Sequence, residues 1–512
     1  MTLSGRANAH RMRFAFSDQE NATALFWIFV FLHGIVWTLL PILSQPNGHT
    51  DVIELLNWGR HPQWGYWKHP PLQAWALGAV ASMTGESLWG VYLASQIANS
   101  ASFWAVWRFA RDFLNPTYSL LSILLLEGIT NYSSKSPKFE HDALQVPFWA
   151  FTVLLLWLAL KSGRVRYWLM CGVTIGLGLL SKYSMIVLLI PLLIFMFMNA
   201  DARQHFATPG PYITAAVAAL IVAPHVIWLV RNDFTTITYA LTRAESHGRV
   251  MDHLVNPFGF ALNQLWALIP MMIMVGLLTY GSGSDRAGVA PSRAPRGFLF
   301  AVALGPFLAL LAISAIMGFR LHSGWGRPLW SFVGVFALSH LQPALTDKAL
   351  RRFSYAFLSC ATIWAVLFVG KFALGPALTG KARPEHFPGQ AIARFVTAQW
   401  ANRHGTPVPI VGGNKWFADN VGYYSPDRPD VYADLDPRKN PWTTDAIFNL
   451  RGGVIIWDAG KDGSEFPDTW RKRFSRAMVQ PGTSFAWQTS AHVPPVELGW
   501  AIVPPDLSEA SP

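Results

Sequence analysis

The chain has 512 residues, of which 52% are hydrophobic, 14% aromatic and only 13% charged. That is about half the ~25% charge content of an ordinary soluble domain, and it excludes a disordered chain, a disulfide scaffold and most cytosolic enzymes. The formal net charge of +11 comes with no zinc finger, helix-turn-helix or RNA-binding signature, so it reads as loops facing anionic lipid and not as a nucleic-acid surface. Cys171 and Cys360 sit inside apolar runs and suggest neither a disulfide nor a cluster site. The composition is that of a polytopic membrane protein.

Taken in chain order, Arg6, Arg11 and Arg13 precede an apolar stretch from Thr23 to Leu43. It is long enough to span and no small-residue cleavage site follows, which predicts an uncleaved first transmembrane helix. Further apolar segments lie at Leu88–Trp107, Thr117–Thr130, Ala143–Leu160, Tyr167–Ser181, Tyr183–Asn199 and Tyr212–Val230. Phe258–Thr279, Phe298–Met317, Pro328–Leu341 and Phe353–Leu374 complete a set of about eleven spans. With a cytoplasmic N-terminus, the basic groups Arg108 and Arg111, Lys161 to Arg166, Arg203, Arg286 to Arg296 and Lys348 to Arg352 all fall inside. This alternation requires Pro70–Met83 to lie in the interface and Tyr167–Asn199 to be two spans broken near Lys182. No inverted repeat of the transporter kind is found.

After Leu374 the polarity becomes ordinary, which divides the chain into a membrane domain, residues 1–376, and a soluble α/β domain, residues 377–512. Gln390–Arg403 has helical periodicity, and Asp468–Met478 reads as an amphipathic helix. Val408–Val411, Val454–Trp457, Phe485–Gln488 and Leu498–Val503 read as short strands. The odd span count places this domain outside the membrane, on the side away from the N-terminus. Gly412-Gly413-Asn414 lacks the rest of a dinucleotide fingerprint and reads as a simple turn.

The outward loops hold an unusual set of ionisable groups. The first contains Asp51, Glu54, Arg60, His61, Lys68 and His69, with Asp51 and Glu54 spaced to share one helical face. Thr50-Asp51 also fits a helix cap. The second loop contains Lys135, Lys138, Glu140, His141 and Asp142. Lys182 sits at the break in a hydrophobic double span, a later loop supplies Arg243, Glu245, His247 and Arg249, and the last outer turn holds Arg320, His322, Trp325 and Arg327. Charges beside a bilayer are costly unless paired or facing a wet cavity, so these read as functional.

Moving a sugar from a lipid phosphate needs a carboxylate to take the acceptor proton. It also needs cations or a metal to hold the phosphate as negative charge builds on it. Asp51 and Glu54 are the catalytic candidates, and Glu140 and Asp142 form a second acidic site. Lys68, His69, Lys182, Arg320 and His322 are candidates for the phosphate. No cofactor is fixed by the pattern; a divalent metal stays open, with His61, Glu140, His141 and Asp142 as candidate ligands. Trp58, Trp64, Trp67 and Trp325 lie in the same loops, where they can stack on a sugar or line a lipid groove.

Several motifs resemble the membrane-embedded GT-C glycosyltransferases, in particular the protein mannosyltransferase-like group that includes the bacterial lipid A aminoarabinose transferase. They are Asp51 behind the first span, YWKHPPL from Tyr66 to Leu72, FEHDALQVPFW from Phe139 to Trp149, GLGLLSKYS from Gly176 to Ser184 and the LHSGWGRP turn. The likeness covers residues 20 to 340. It implies an inverting transfer from a polyprenyl-phosphate sugar at the periplasmic face of a bacterial inner membrane, without a nucleotide sugar. It further implies that Asp51 is the base, that Asp142 is the second-loop acid and that Lys68 or His69 is the cation before the double proline. Relatives often carry two adjacent first-loop acids, whereas here Val52 follows Asp51. The acceptor it implies is a glycolipid such as lipid A or lipopolysaccharide, with a protein hydroxyl, a whole-glycan ligase or a lipid-linked sugar flippase as alternatives.

Overall fold

The structure is a computed structural model that describes residues 19–244, 248–281 and 296–506. Arg6, Arg11, Arg13, Glu245, His247, Arg286 and Arg293 therefore lie outside the described residues.

The apolar segments fold as helices because a chain surrounded by hydrocarbon must satisfy its backbone polar groups internally. Among the described residues, five helices are long and apolar enough to cross a bilayer: Glu20–Ser44, Gln145–Ser162, Gly210–Arg231, Asp252–Thr279 and Asp347–Ala373. Two further pairs, bent by 96° after Met198 and by 52° after Ala303, raise the number to seven if each pair is one span. The expected break at Lys182 is present, since one helix ends at Ser181 and the next begins at Met185.

Two expected spans are short helices instead. Pro116–Leu124 and Val333–Leu341 have nine residues each, about 13 Å of rise against a ~30 Å hydrocarbon core. They are apolar because they pack inside the bundle, where Tyr118, Leu120, Ile123, Val335 and Leu338 are fully buried. The contact is tight: a Cβ on Gly334 would meet the Ser122 carbonyl oxygen at 2.4 Å. Nearby, buried Glu127 accepts from Trp37 Nε1 at 3.4 Å and contacts His33 Nδ1 at 2.9 Å. This polar staple ties the first helix to the segment around Leu125–Gly128.

The C-terminal part carries a five-stranded sheet: β1 Ile410–Gly413, β2 Asp430–Ala433, β3 Gly453–Asp458, β4 Met478–Phe485 and β5 Val496–Val503. The order is β2-β1-β3-β5-β4, with β2, β1 and β3 parallel and β5 antiparallel to both β3 and β4. β2 has no counterpart in the sequence reading. The helix expected over Asp468–Met478 stops at Arg473, and β4 starts at Met478.

Between bundle and sheet lies the loop after the first helix, folded as a helix over Thr50–Gly59 and another over Leu72–Thr84. The second, at thirteen residues, is too short to span, as the alternation of charges required. The two meet glycine on glycine. A Cβ on Gly59 would lie 2.7 Å from Gly78 Cα, and one on Gly78 would lie 2.5 Å from the Gly59 carbonyl oxygen. On its other side helix 50–59 packs against helix Lys415–Tyr424, which follows β1. Asn57 donates to the Asp419 carbonyl at 2.9 Å, Arg60 to the Gly422 carbonyl at 2.7 Å, and Tyr424 Oη accepts from Gly48 N at 3.1 Å.

Forcing the glycine pair apart would move the helix that bears Asp51 and Glu54. Gly78→Val is expected to cost about 1–3 kcal/mol as overpacking, read as a lower thermal midpoint in detergent. An unchanged midpoint would show that the two helices are free to slide.

Candidate active site

His49, not Thr50 or Asp51, caps helix 50–59, because its Nδ1 accepts from the Asp51 amide at 3.4 Å. That leaves the Asp51 carboxylate free of a capping role. Glu54, one turn later, is 1% exposed. Its Oε2 lies 2.5 Å from Lys68 Nζ, and its Oε1 lies 3.1 Å from Lys415 Nζ. Lys415 is also held by Asp419 Oδ2 at 2.6 Å, one turn along its own helix.

The second loop closes on the first. The His141 ring packs on His69 with centroids 3.9 Å apart, and its Nε2 stands 3.8 Å from Asp51 Oδ1. Buried Gln73 donates to the His141 carbonyl at 2.9 Å and to Ser181 Oγ at 2.8 Å, joining three segments. Lys182 forms an ion pair with Asp142. Arg327 from the last outer turn reaches Glu140 at 3.9 Å and donates to the Lys138 carbonyl at 3.1 Å.

The electrostatics follow from this crowding. Burial, with Lys68 and Lys182 as neighbours, holds both histidines well below their ordinary value, so they are neutral. His49 is lowered as well, by burial and by Lys138. Burial alone would raise Asp51, but the positive field of His49, Lys68, Lys415 and His69 outweighs it and holds the carboxyl below the usual aspartate range. Lys415 is raised: burial works against its charge, and Asp419 and Glu54 overcome it.

Of the residues expected from sequence, Asp51, Glu54, Lys68, His69, Glu140, His141, Asp142 and Lys182 come together. Three do not join them. His61 turns to the C-terminal domain, 3.1 Å from Asp430 and stacked on Trp442 at 4.4 Å, because Arg60 and His61 follow the end of the helix. It is therefore no ligand in this cluster. Arg320 is exposed, with its amide donating to the Ala244 carbonyl, and His322 contacts the Arg243 carbonyl at 3.1 Å. The turn delivers Arg327 instead. Asp142 is paired with Lys182 and stands outside the two compact donor triads. Among the described residues, the donor triads close enough for a divalent cation are His49, Asp51 and Glu140, or Asp51, Glu54 and His141. Asp51 is common to both.

His49, Gln73, Lys415 and Asp419 were missed, and Arg327, read among the functional groups of its turn, was given no role. Arg327 lay in the expected turn, two residues beyond the tryptophan. Lys415 directly follows the Gly412-Gly413-Asn414 turn, whose Asn414 caps helix 415–424 by accepting from Trp416 N at 3.1 Å. Nothing in the local sequence ties that turn to Glu54.

A cavity of about 690 Å³ opens beside the cluster. Trp67, Trp228 and Tyr239 form its aromatic walls, with Arg231, Arg438 and Lys439 at its polar side. Trp67 joins it to the cluster, since Lys68 and Lys439 both place Nζ 5.1 Å from its ring. Trp58, by contrast, is buried and stacked on Tyr66 at 4.8 Å, a core packing role. Trp325 packs against His322, and Trp64 against Trp75.

With this geometry in view, comparison with known proteins is informative. A family profile described as dolichyl-phosphate-mannose-protein mannosyltransferase matches residues 68–228. The lipopolysaccharide core galacturonosyltransferase RgtB of Rhizobium johnstonii is 24% identical over 464 residues, covering 87% of this chain and 90% of that protein. The undecaprenyl phosphate-α-4-amino-4-deoxy-L-arabinose arabinosyl transferase of Pseudomonas aeruginosa is 28% identical over 169 residues, 31% of this chain and 29% of the relative. The crystal structure of ArnT from Cupriavidus metallidurans bound to undecaprenyl phosphate superposes with a TM-score of 0.64 at 14% identity, covering 96% of this chain and 100% of that one. That last likeness concerns the fold. The family match and the relatives agree that the chain is a glycosyltransferase, and its fold is that of the ArnT structure.

Proposed function

We propose that this enzyme moves one sugar, with inversion, from a polyprenyl-phosphate carrier to a glycolipid at the periplasmic face of a bacterial inner membrane. Lipid A or the lipopolysaccharide core is the acceptor. One observation carries the reading: the half-buried carboxylate of Asp51 stands in the field of Lys68 and Lys415 and 3.8 Å from His141, a ring that also feels Lys182. The named relatives support the carrier and acceptor classes, since they act on lipopolysaccharide core or use undecaprenyl phosphate. An odd number of crossings with a cytoplasmic N-terminus would set this cluster and the C-terminal sheet outside.

The chemistry follows from the placement. Asp51 accepts the proton of the acceptor hydroxyl as that oxygen attacks the anomeric carbon from the face opposite the phosphate. The bond between that carbon and the phosphate oxygen breaks, and its electron pair leaves on the phosphate, where Lys68 and Lys182 offset the growing charge. A carboxylate held this low is a weak base before the donor arrives. A phosphate on Lys68 draws a cation away from Asp51 and adds negative charge nearby, and both effects raise its basicity as the reaction needs it. A divalent cation, where bound, would be held by Asp51 with His49 and Glu140 or with Glu54 and His141, and would supply Lewis-acid help to the phosphate. The cavity bounded by Trp67, Trp228 and Tyr239 offers aromatic faces to an acceptor sugar, and Arg231, Arg438 and Lys439 suit one that bears acid groups.

Asp51→Asn is expected to lower kcat by about 10²–10⁴ without changing the thermal midpoint. A variant that kept more than half the turnover would exclude Asp51 as base. The lowered Asp51 means that protonation begins only below the usual value of ~3.9. The profile of kcat/KM should accordingly show no acid limb between about pH 5 and 8 from this group, and a limb there would place another group in the role. Mass spectrometry of envelope glycolipids with and without the protein tests the acceptor. Loss of one sugar mass from lipid A or core is expected, and an unchanged glycolipid profile would refute that acceptor.

A further inference from the structure

Glu54 is 1% exposed, yet it is contacted by two cations from opposite ends of the chain. A buried carboxylate stripped of its cations is strongly destabilising, so the two lysines are not equivalent decorations. They differ in how firmly they are held. Lys415 has two carboxylates, Glu54 at 3.1 Å and Asp419 at 2.6 Å. It stands on the first turn of a capped helix, with its amide donating to Asp434 Oδ1 at 3.0 Å. Among the described residues Lys68 has one carboxylate in contact, Glu54; it sits in the loop that ends at the double proline and rests over Trp67 at 5.1 Å. Whichever lysine turns to an incoming phosphate must release a carboxylate. Lys68 can do so, because Lys415 remains behind.

We propose that Lys415, in the C-terminal sheet domain, is a positioning residue for the transfer reaction: it is the fixed counter-cation that keeps Glu54 in place while Lys68 exchanges Glu54 for the donor phosphate. The inference rests on the polyprenyl-phosphate reading given above. It turns the C-terminal domain from an appended module into part of the reaction centre, and it gives Glu54 a defined task, that of parking Lys68 when no donor is bound. The docking of helix 415–424 on helix 50–59 provides the necessary rigidity. Asn57 is bonded to Asp419, one turn beyond Lys415, and Arg60 is bonded to Gly422, nearly a turn further on, and to Glu86. Glu86 is shared with Arg428 at 2.9 Å, which closes the frame from the C-terminal side.

The mechanism makes a prediction that a merely structural lysine would not. Without Lys415, Glu54 must retain Lys68, so the phosphate loses its cation; removing the Glu54 charge as well should set Lys68 free again. Full-length protein in nanodiscs is titrated with undecaprenyl phosphate, and the dissociation constant is read from tryptophan quenching. Lys415→Met should weaken binding about tenfold or more, and Lys415→Arg should stay within about threefold of wild type. The double variant Lys415→Met with Glu54→Gln should return close to wild type, although it lacks both groups. If Lys415→Met alone does not fold, Glu54→Gln alone carries the test and should bind at least as tightly as wild type. Wild-type affinity in Lys415→Met, or a double variant as weak as that single one, would overturn the inference and leave the function standing. A wild-type protein that does not bind undecaprenyl phosphate would instead remove the carrier reading, and this inference with it.

Discussion

The buried Glu54 carboxylate is the constraint on which the arrangement depends. A negative charge at that depth requires cations within contact distance, and the two that reach it come from Lys68 in the first outer loop and Lys415 more than three hundred residues later. Meeting that requirement fixes the first loop, the helix after β1 and the sheet behind it as one body. It also fixes Asp51, which shares the helix with Glu54 and feels the field of the same two lysines.

Charge in the site is closely matched. Glu54, Asp142, Glu140 and Asp419 hold Lys68, Lys182, Arg327 and Lys415, so none of these four cations is without a carboxylate. An anion entering such a place cannot simply meet a bare positive patch; it must take a partner from a carboxylate already there. That explains how a strongly basic set of loops can remain ordered beside a bilayer in the absence of substrate. The neutral His69–His141 stack adds packing and hydrogen-bonding atoms to the centre without disturbing the balance.

Much of this was legible in the sequence because the relevant signals were local. Asp51 and Glu54 lie on one helical turn, Lys182 interrupts an apolar run, and the glutamate, histidine and aspartate at 140–142 are consecutive. The break at Lys182 and the non-crossing helix after the double proline followed from length and charge alone. What could not be read was apolarity with two different causes. Segments 116–124 and 333–341 are as hydrophobic as lipid-facing helices, but they are buried by protein, and composition does not tell one solvent from the other. Long-range electrostatic partners were equally hidden. Lys415 looks like the first residue of an ordinary capped helix, and Arg327 like one base among several in its turn. Arg320 and His322 attracted attention by type, while the turn's geometry presented their neighbour.

The seating of helix 415–424 against the first loop has a consequence for biogenesis. A ribosome makes Asp51, Lys68 and Lys182 long before it makes Lys415 and Asp419, so the nascent chain holds an unfinished centre until the last fifth has been translated and has folded back. Premature termination would thus yield a product in which the buried Glu54 lacks its second cation.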